Sequence, residues 1–533
     1  MIKIIAAIAM PLFIYSCNTG STSERIYSHD ITLESITDSE AVPQEQNKTA
    51  DLNTEEYSNI VENHFVKAKQ EPLSTFSIDV DRAAYSNVRR FIQDGSLPPA
   101  NAVRIEEMVN YFNYNYPQPE NDDPFSINTE ISSCPWNSEH KLVHIGLQGK
   151  KIETGNLPAS NLVFLIDVSG SMEDANKLPL VQSSLKMLTD QLRDEDKVAI
   201  VVYAGSAGLV LPSTKGSDKE TIKDAIDKLS AGGSTAGGEG ILLAYKTAEK
   251  NFKKNGNNRI IIATDGDFNV GLSGDDELVN LIEEKRKSGI YLTVLGYGMG
   301  NYKDSKMQQL ADKGNGNHAY IDNITEARKV LVNEFGGTLF TIAKDVKLQL
   351  EFNPQKVQSY RLIGYENRLL ASEDFNDDKK DAGELGAGHT VTALYEIIPV
   401  GVNDEYTTKV DDLKYQDKQS TNNNFSDELL TIKFRYKAPK SDVSKLITHP
   451  VLDNNISLES TSDNFKFSAA VAEFGLLLRN SSFKENASYT QTIQLVKDSK
   501  ENDEDGYRAE FLQLVKSASL LAKSNNETAS NNE

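Results

Sequence analysis

The chain has 533 residues, more than a single hydrophobic core organises, and this length corresponds to roughly three domains. Charged residues make up 25% and apolar residues 38%, as in ordinary globular proteins, but the net charge is -22. Because binding to nucleic acid requires a basic face, this charge argues against a nucleic-acid partner and leaves divalent cations and basic partners open.

The N-terminus, "MIKIIAAIAMPLFIYSC", predicts an export signal. Its apolar stretch from Ile4 to Tyr15 is too short to span a bilayer and has the length of a signal-peptide core. The end of this stretch resembles the lipobox of bacterial lipoproteins, which implies that residues 1–17 are a lipoprotein signal and that Cys17 carries the lipid. An uncleaved anchor or an ordinary secretory signal is the alternative. With a lipid at Cys17, we expect an exported protein held to a membrane surface, facing the periplasm or the cell surface.

The next two segments differ in composition. Residues 18–55 are rich in Ser, Thr, Asn and Glu, and they predict a disordered tether. Residues 56–150 form a predicted N-terminal domain: its first part spaces apolar residues at helical intervals, as at Met108, Val109 and Phe112, and its last part alternates as strands do, as in "HKLVHIGLQG".

Residues 157–343 predict a doubly wound, mostly parallel, Rossmann-like α/β domain. Continuous apolar runs such as "NLVFLI", "KVAIVVYA" and "RIIIAT" are typical of strands buried on both faces of a parallel sheet. Amphipathic patterns such as "LPLVQSSLKMLTDQL" separate them and predict covering helices. This alternation favours the strand order 3-2-1-4-5-6.

Residues 345–523 predict a β-rich C-terminal domain that closes with two helices, "FKFSAAVAEFGLLLRN" and "YRAEFLQLVKSASLLA", and residues 524–533 predict a disordered tail. Strand-type sequence therefore flanks the α/β domain on both sides. Because the termini of a domain often lie close together, we expect the α/β domain to be inserted into a β-sandwich made jointly by residues 125–150 and 345–440.

Polar residues follow two of the buried strands. Asp167, Ser169 and Ser171 follow the first strand, and Asp265 follows the fourth, so all four should lie at the carboxyl edge of the sheet, where ligands of open α/β sheets bind. Thr235, in the glycine-rich stretch "AGGSTAGGEG", can reach the same place. Two carboxylates and three hydroxyls are hard oxygen donors, which suit Mg²⁺ first, with Ca²⁺ or Mn²⁺ as alternatives. The competing interpretation of the first three residues is a polar turn that caps the following helix.

D-x-S-x-S after the first strand, Thr in a glycine-rich loop and T-D-G after the fourth strand resemble the metal-ion-dependent adhesion site of von Willebrand factor type A (VWA) domains. The resemblance implies direct binding of the ion by Ser169 and Ser171, direct or water-mediated binding by Thr235, and mostly water-mediated binding by Asp167 and Asp265. Long stretches such as "STFSIDVDRAAYSNVRRFI" and "KDAGELGAGHTVTALYEI" resemble bacterial lipoproteins of the YfbK type, which carry a von Willebrand-associated N-terminal domain, a VWA domain and a C-terminal domain of unknown function.

These features predict a lipid-anchored, extracytoplasmic, adhesion-type protein that binds an acidic group of a protein partner through its divalent ion. The alternatives are an envelope structural or assembly factor, in which the ion only stabilises the domain, and a metal-dependent hydrolase or phosphotransferase. No catalytic residue or organic cofactor is predicted: Asp79 and Asp81 only faintly resemble a phosphotransferase motif, because Ala83 stands where that motif requires Thr or Val. The sequence does not identify the partner, the oligomeric state or the membrane that carries the lipid.

Overall fold

The structure is a computed structural model that describes residues 55–120, 123–153, 157–233, 237–266, 275–300, 302–334, 340–380, 382–406, 427–454, 456–499 and 503–530. Cys17, the predicted signal peptide, almost all of the predicted tether and Thr235 lie outside these residues.

Sixteen strands are found within the described residues. In chain order they are β1 Val66–Lys67, β2 Leu73–Ser77, β3 Phe125–Cys134, β4 Asn137–Gly149, β5 Ser160–Asp167, β6 Lys197–Tyr203, β7 Ala207–Lys215, β8 Asn257–Thr264, β9 Ile290–Tyr297, β10 His318–Ile321, β11 Thr341–Phe352, β12 Val357–Ile363, β13 Gly383–Gly386, β14 Thr390–Pro399, β15 Glu428–Lys437 and β16 Ser444–Leu452.

The same residues contain eleven α-helices. They are α1 Ala83–Gln93, α2 Ile105–Asn110, α3 Leu178–Gln191, α4 Lys219–Asp227, α5 Gly237–Lys250, α6 Asp275–Lys287, α7 Asp304–Lys313, α8 Ile324–Arg328, α9 Asp463–Arg479, α10 Tyr489–Lys497 and α11 Tyr507–Ser530.

Strands β5 to β10 form the sheet of the α/β domain that was predicted for residues 157–343. Their spatial order is β10-β9-β8-β5-β6-β7, which confirms the order 3-2-1-4-5-6 when the strands are counted along the domain. All neighbours in this sheet are parallel except β7, which is antiparallel to β6. Residues of α5, α6 and α7 pack against one face, and residues of α3, α4 and α8 pack against the other. The apolar runs are continuous because both faces of the sheet are buried.

The remaining strands form a β-sandwich to which both ends of the chain contribute. One sheet has the order β1-β12-β14-β4-β3, and the other has the order β13-β11-β15-β16 with β2 paired to β11. Strand β4, which precedes the VWA domain, pairs with β14, which follows it. The chain therefore leaves the sandwich after Gly149, forms the α/β domain and returns to the sandwich at Thr341, as the insertion hypothesis predicts.

A layer of helices covers the outer face of the first sheet. Leu142 and Leu394 of this sheet pack into a cluster with residues of α1, α2, α9, α10 and α11, whereas Val143 and Tyr395 face the second sheet. Adjacent residues point to opposite faces of a strand, so β4 and β14 are apolar on both sides. The segment that was predicted to be a separate N-terminal domain thus contributes strands and helices to the same layers as the C-terminal segment.

Two local predictions differ from the structure. Helix α11 continues to Ser530, so the tail predicted to be disordered from residue 524 is helical over its first residues; no Gly or Pro interrupts this stretch. Helix α10 was not predicted, because it is short and contributes few apolar residues. Cys134 is buried and forms no disulfide in the described part of the chain. Among the described helices, none is both long and apolar enough to cross a bilayer.

Candidate functional site

Strand β5 ends at the first predicted site residue. Its eight residues are all buried, and Asp167, the last of them, is fully buried as well. The Asp167 carboxylate turns the chain at once, because its Oδ1 accepts a hydrogen bond of 2.9 Å from the backbone N–H of Ser169. A short 3₁₀ turn, Gly170–Glu173, follows. The polar turn expected as the competing interpretation is therefore present, and it holds the two serines at the edge of the sheet.

Asp265 reaches the same edge because β5 and β8 are neighbouring parallel strands, with Ile166 opposite Ala263. Asp265 follows β8 directly and is only 1% exposed. The hydroxyl of Thr264 donates a hydrogen bond of 3.2 Å to Oδ2 of Asp167, which links the two strand ends. The structure therefore brings together two carboxylates that are 98 positions apart in the sequence.

The two serine hydroxyls lie side by side. Oγ of Ser169 and Oγ of Ser171 are 3.1 Å apart, and the Ser169 residue is buried. Two neighbouring hydroxyl oxygens at this separation can both face one small cation.

Gly232 and Gly233, in the glycine-rich loop before Thr235, form hydrogen bonds with the turn that carries the two serines. The N–H of Gly232 donates to the carbonyl of Val168 at 2.8 Å, and the N–H of Gly170 donates to the carbonyl of Gly233 at 3.0 Å. Gly233 has a φ of +85°, which side chains larger than hydrogen rarely adopt. Thr235 itself lies outside the described residues, and the loop that leads to it meets the turn at Gly170.

Burial and like charge raise the pKa of Asp167. Removal of the carboxyl group from water is the largest cause, hydrogen bonds from Ser169 oppose it, and the negative charge of Asp265 adds to it. A cation between the two carboxylates would reverse both unfavourable effects.

A basic side chain that the sequence analysis did not select also reaches the site. Nζ of Lys177 donates a hydrogen bond of 3.1 Å to Oδ2 of Asp265 and one of 2.9 Å to the backbone carbonyl of Ser171. Its side chain is 8% exposed. The sequence did contain a signal that could have drawn attention to Lys177. It lies at the start of helix α3, where a positive charge is unfavourable.

The residues present fit a divalent cation with oxygen ligands. Asp167 and Asp265 supply buried carboxylates, and Ser169 and Ser171 supply hydroxyls, all from one edge of the sheet. Within the described ranges, no group of three or more His, Cys, Asp and Glu side chains is placed to hold a metal. The donor set at this edge is of a different kind, since half of its described members are hydroxyls.

Three protein families match the chain in sequence. The family described as von Willebrand factor type A domain matches residues 161–333, one described as von Willebrand factor matches residues 51–144, and one described as the C-terminal region of the uncharacterized protein YfbK matches residues 337–521. YfbK of Escherichia coli (strain K12) is 43% identical over 477 residues, which cover 88% of this chain and 82% of that protein. The chain belongs to the YfbK family.

The chain is also similar to proteins outside the YfbK family. Protein sll0103 of Synechocystis is 28% identical over 195 residues, which cover 37% of this chain and 45% of that protein. A solved structure, von Willebrand factor type A from Catenulispora acidiphila, has a TM-score of 0.38 and 16% identity over 73% of this chain and 88% of its own. VWA domains in general mediate protein interactions, commonly bind a divalent metal and are generally not enzymes, and this YfbK-family chain contains such a domain.

Asp79 and Asp81, which only faintly resemble a phosphotransferase motif, have a structural role in this YfbK-family chain. Oδ1 of Asp81 accepts a hydrogen bond of 2.9 Å from the backbone N–H of His318, and its Oδ2 lies 3.1 Å from Nη2 of Arg368. Arg368 also pairs with Asp79 and Asp312. These contacts connect the segment before α1 to the VWA domain and to the sandwich, which accounts for the two aspartates without a phosphotransferase reaction.

Proposed function

We propose that the protein binds a protein partner through a divalent cation at the edge of the VWA sheet, with the last position on the ion filled by an acidic side chain of the partner. The observation that carries this proposal is the convergence of two buried carboxylates, Asp167 and Asp265, with two adjacent hydroxyls, Ser169 and Ser171. Hydroxyls are neutral ligands, so an ion held by this set keeps positive charge for an acidic group.

Mg²⁺ is the cation that we propose first. The donor set supports this choice, because carboxylate and hydroxyl oxygens are the hard ligands that Mg²⁺ prefers. The hydroxyls of Ser169 and Ser171, hydrogen-bonded to each other at 3.1 Å, lie close enough together to face one small ion. Thr235 would add a third hydroxyl, by its position in the glycine-rich stretch.

In this proposal the cation attracts the partner, and the protein residues hold the site in shape. When bound, the cation supplies the positive charge that attracts the partner's acidic group. Asp167 holds the serine turn through the N–H of Ser169, and it receives the Thr264 hydroxyl that links the two strands. Because these carboxylates and hydroxyls are fixed by buried strands before any ligand arrives, little conformational freedom is lost on binding.

The ion and the partner are tested with one variant, Asp167→Ala, in the full chain. We expect Mg²⁺ or Mn²⁺ to raise the melting temperature of the unaltered protein relative to EDTA, by an amount equivalent to about 2.7 kcal/mol when the free ion is 100 times Kd. Asp167→Ala should lose this response. A photocrosslinking side chain at Met299, which is exposed in the segment after β9, should capture a partner in cells only when Asp167 is intact.

The matched control is Asp190→Ala, which removes an exposed carboxylate at the end of α3 that pairs with Lys223. It should keep the full ion response and the crosslink. An ion response that persists in Asp167→Ala would contradict the metal assignment. A crosslink that persists in Asp167→Ala would contradict ion-dependent binding and favour an assembly role in which the ion only stabilises the domain.

We further propose that Cys17 anchors the protein to a membrane by lipid and that the protein faces the periplasm or the cell surface. The sequence "IYSC" at the end of a short apolar stretch supports this proposal. Cells that express Cys17→Ser should incorporate no labelled palmitate into the protein, and the protein should leave the membrane fraction. Labelling of Cys17→Ser equal to that of the unaltered chain would contradict the anchor.

A further inference from the structure

Lys177 is held at the proposed ion site by three oxygen atoms. Its Nζ lies 3.1 Å from Oδ2 of Asp265, 2.9 Å from the backbone carbonyl oxygen of Ser171 and 3.8 Å from Oδ2 of Asp174. The first contact is to a fully enclosed carboxylate, whereas the Asp174 side chain is 75% exposed. The protein thus supplies a cation of its own to one carboxylate of the site.

The position of this lysine is unfavourable by local rules. Lys177 directly precedes helix α3, Leu178–Gln191, at a place where Ser, Thr, Asp or Asn is usual. The N-terminus of a helix carries partial positive charge, so a buried lysine there opposes the helix dipole. Sequences that break a local rule at a buried position commonly do so for function.

The backbone of a neighbouring loop makes room for the lysine. Gly298, in the segment after β9, has a φ of +77°, and a Cβ atom at this position would lie 2.5 Å from Cε of Lys177. Any side chain at residue 298 would therefore displace the lysine stem. The aliphatic part of Lys177 is thereby fixed, and its ammonium group is aimed at Asp265.

The charges at the site show what this lysine does. With both carboxylates ionised, Asp167, Asp265 and Lys177 sum to one negative charge, so a divalent cation would bring the site to one positive charge. An acidic group of a partner then returns the site to neutrality. Without Lys177 the ion alone would neutralise the two carboxylates, and an acidic ligand would leave an excess negative charge.

We propose that Lys177 is a counter-cation that weakens the site for the divalent ion alone and couples firm ion binding to binding of the acidic ligand. This inference rests on the proposed function and adds the regulation of the same site. Ion and ligand binding are then reciprocal: each raises the affinity for the other, and the site holds its ion loosely until a partner arrives.

The test compares Mn²⁺ binding by the unaltered full chain and by Lys177→Met, with calorimetry, in chloride and in acetate at equal ionic strength. We expect Lys177→Met to bind Mn²⁺ about tenfold more tightly in chloride, because a positive charge next to the ion is gone. Acetate, as the simplest carboxylate, should raise the Mn²⁺ affinity of the unaltered chain more than that of Lys177→Met.

Two further variants serve as controls. Lys177→Arg keeps the charge and should resemble the unaltered chain. Lys186→Met removes a half-exposed lysine of the same helix, which pairs with Asp227 at 2.7 Å, and should leave Mn²⁺ affinity unchanged. Melting of each variant in EDTA verifies that it is folded.

The possible results distinguish failure of the proposed function from failure of the role of Lys177. If the unaltered chain binds no Mn²⁺, the proposed function fails and this inference fails with it. If the unaltered chain binds Mn²⁺ but Lys177→Met binds it equally or more weakly, only the role of Lys177 is overturned. An equal effect of acetate on both proteins also overturns the coupling.

Discussion

Two groups of buried carboxylates in this protein are neutralised in different ways. At the junction of the VWA domain with α1 and α11, Arg89 is fully buried and contacts Asp322 at 2.5 Å, Glu326 at 2.7 Å and Glu510 at 2.9 Å. At the edge of the VWA sheet, Asp167 and Asp265 are also buried, and the ammonium group of Lys177 contacts Asp265.

The two groups of carboxylates differ in the positive charge that the protein itself supplies. The planar guanidinium of Arg89 fills its five donor positions with two carboxylates of the VWA domain, one of α11 and the hydroxyl of Tyr111. No position is left there for a ligand. At the sheet edge, burial and the negative charge of Asp265 raise the pKa of Asp167, and a cation bound from solution between the two carboxylates would relieve both effects. We infer that the carboxylates around Arg89 have a structural role and that the group around Asp167 binds a cation.

The largest expected effect comes from removal of the guanidinium. Arg89→Met should lower the free energy of unfolding by about 3–5 kcal/mol, because it leaves the buried carboxylates of Asp322 and Glu326 without the positive charge that balances them. Denaturant unfolding of the full chain measures this loss. The response of the melting temperature to Mg²⁺ should remain, since Arg89 has no contact with the sheet-edge residues.

A variant that also removes carboxylate partners of Arg89 tests whether charge accounts for this loss of stability. Arg89→Met combined with Asp322→Asn and Glu326→Gln removes the guanidinium and both carboxylate charges of the VWA domain and leaves the partly exposed Glu510, and it should regain a large part of the lost stability. If the triple variant is as unstable as Arg89→Met, packing rather than charge holds this junction, and the contrast with the sheet edge would not be electrostatic.

The sequence predicted the VWA sheet and the inserted sandwich because their strands carry strong local patterns. Six strands with short connections give one favoured order, and the apolar runs of β5 and β8 place Asp167 and Asp265 at one edge. The helix α10 was missed although its start carries a signal: Ser488 caps the N–H of Gln491 at 3.2 Å, and Ser followed by Gln three residues later is a known helix-start pattern.

The contacts of Lys177 and Arg89 could not be predicted, for a different reason. Their partners are distant in the sequence: Asp265 is 88 positions from Lys177, and Glu510 is 421 positions from Arg89. A charged residue on a predicted helix reads as solvated unless its tertiary contacts are known. Hydrophobic periodicity predicts which face of a helix is buried, and it contains no information on which charge meets which.

Glu473 of α9 represents a third way to bury a carboxylate, and it gives the smaller of the effects expected here. No basic side chain forms an ion pair with it in the described part of the chain, and its Oε1 accepts a hydrogen bond of 2.9 Å from the N–H of Ser488. Burial raises the pKa of Glu473 to about 7. Arg89 neutralises the first group and a divalent ion is proposed for the second, whereas a proton neutralises this one.

The sign of its pH dependence follows from this raised pKa. A carboxyl group that holds its proton more firmly in the folded state stabilises the fold fully below the unfolded pKa of 4.5, and this contribution is lost as the pH rises towards 7. The difference in unfolding free energy between the unaltered chain and Glu473→Gln should therefore fall across this range, by at most about 3 kcal/mol. Denaturant unfolding of both proteins at several pH values measures the difference, in which the titration of all other groups cancels. Parallel profiles would mean that Glu473 is ionised in the fold and that its charge is balanced by backbone dipoles, which would reduce the three modes of neutralisation to two.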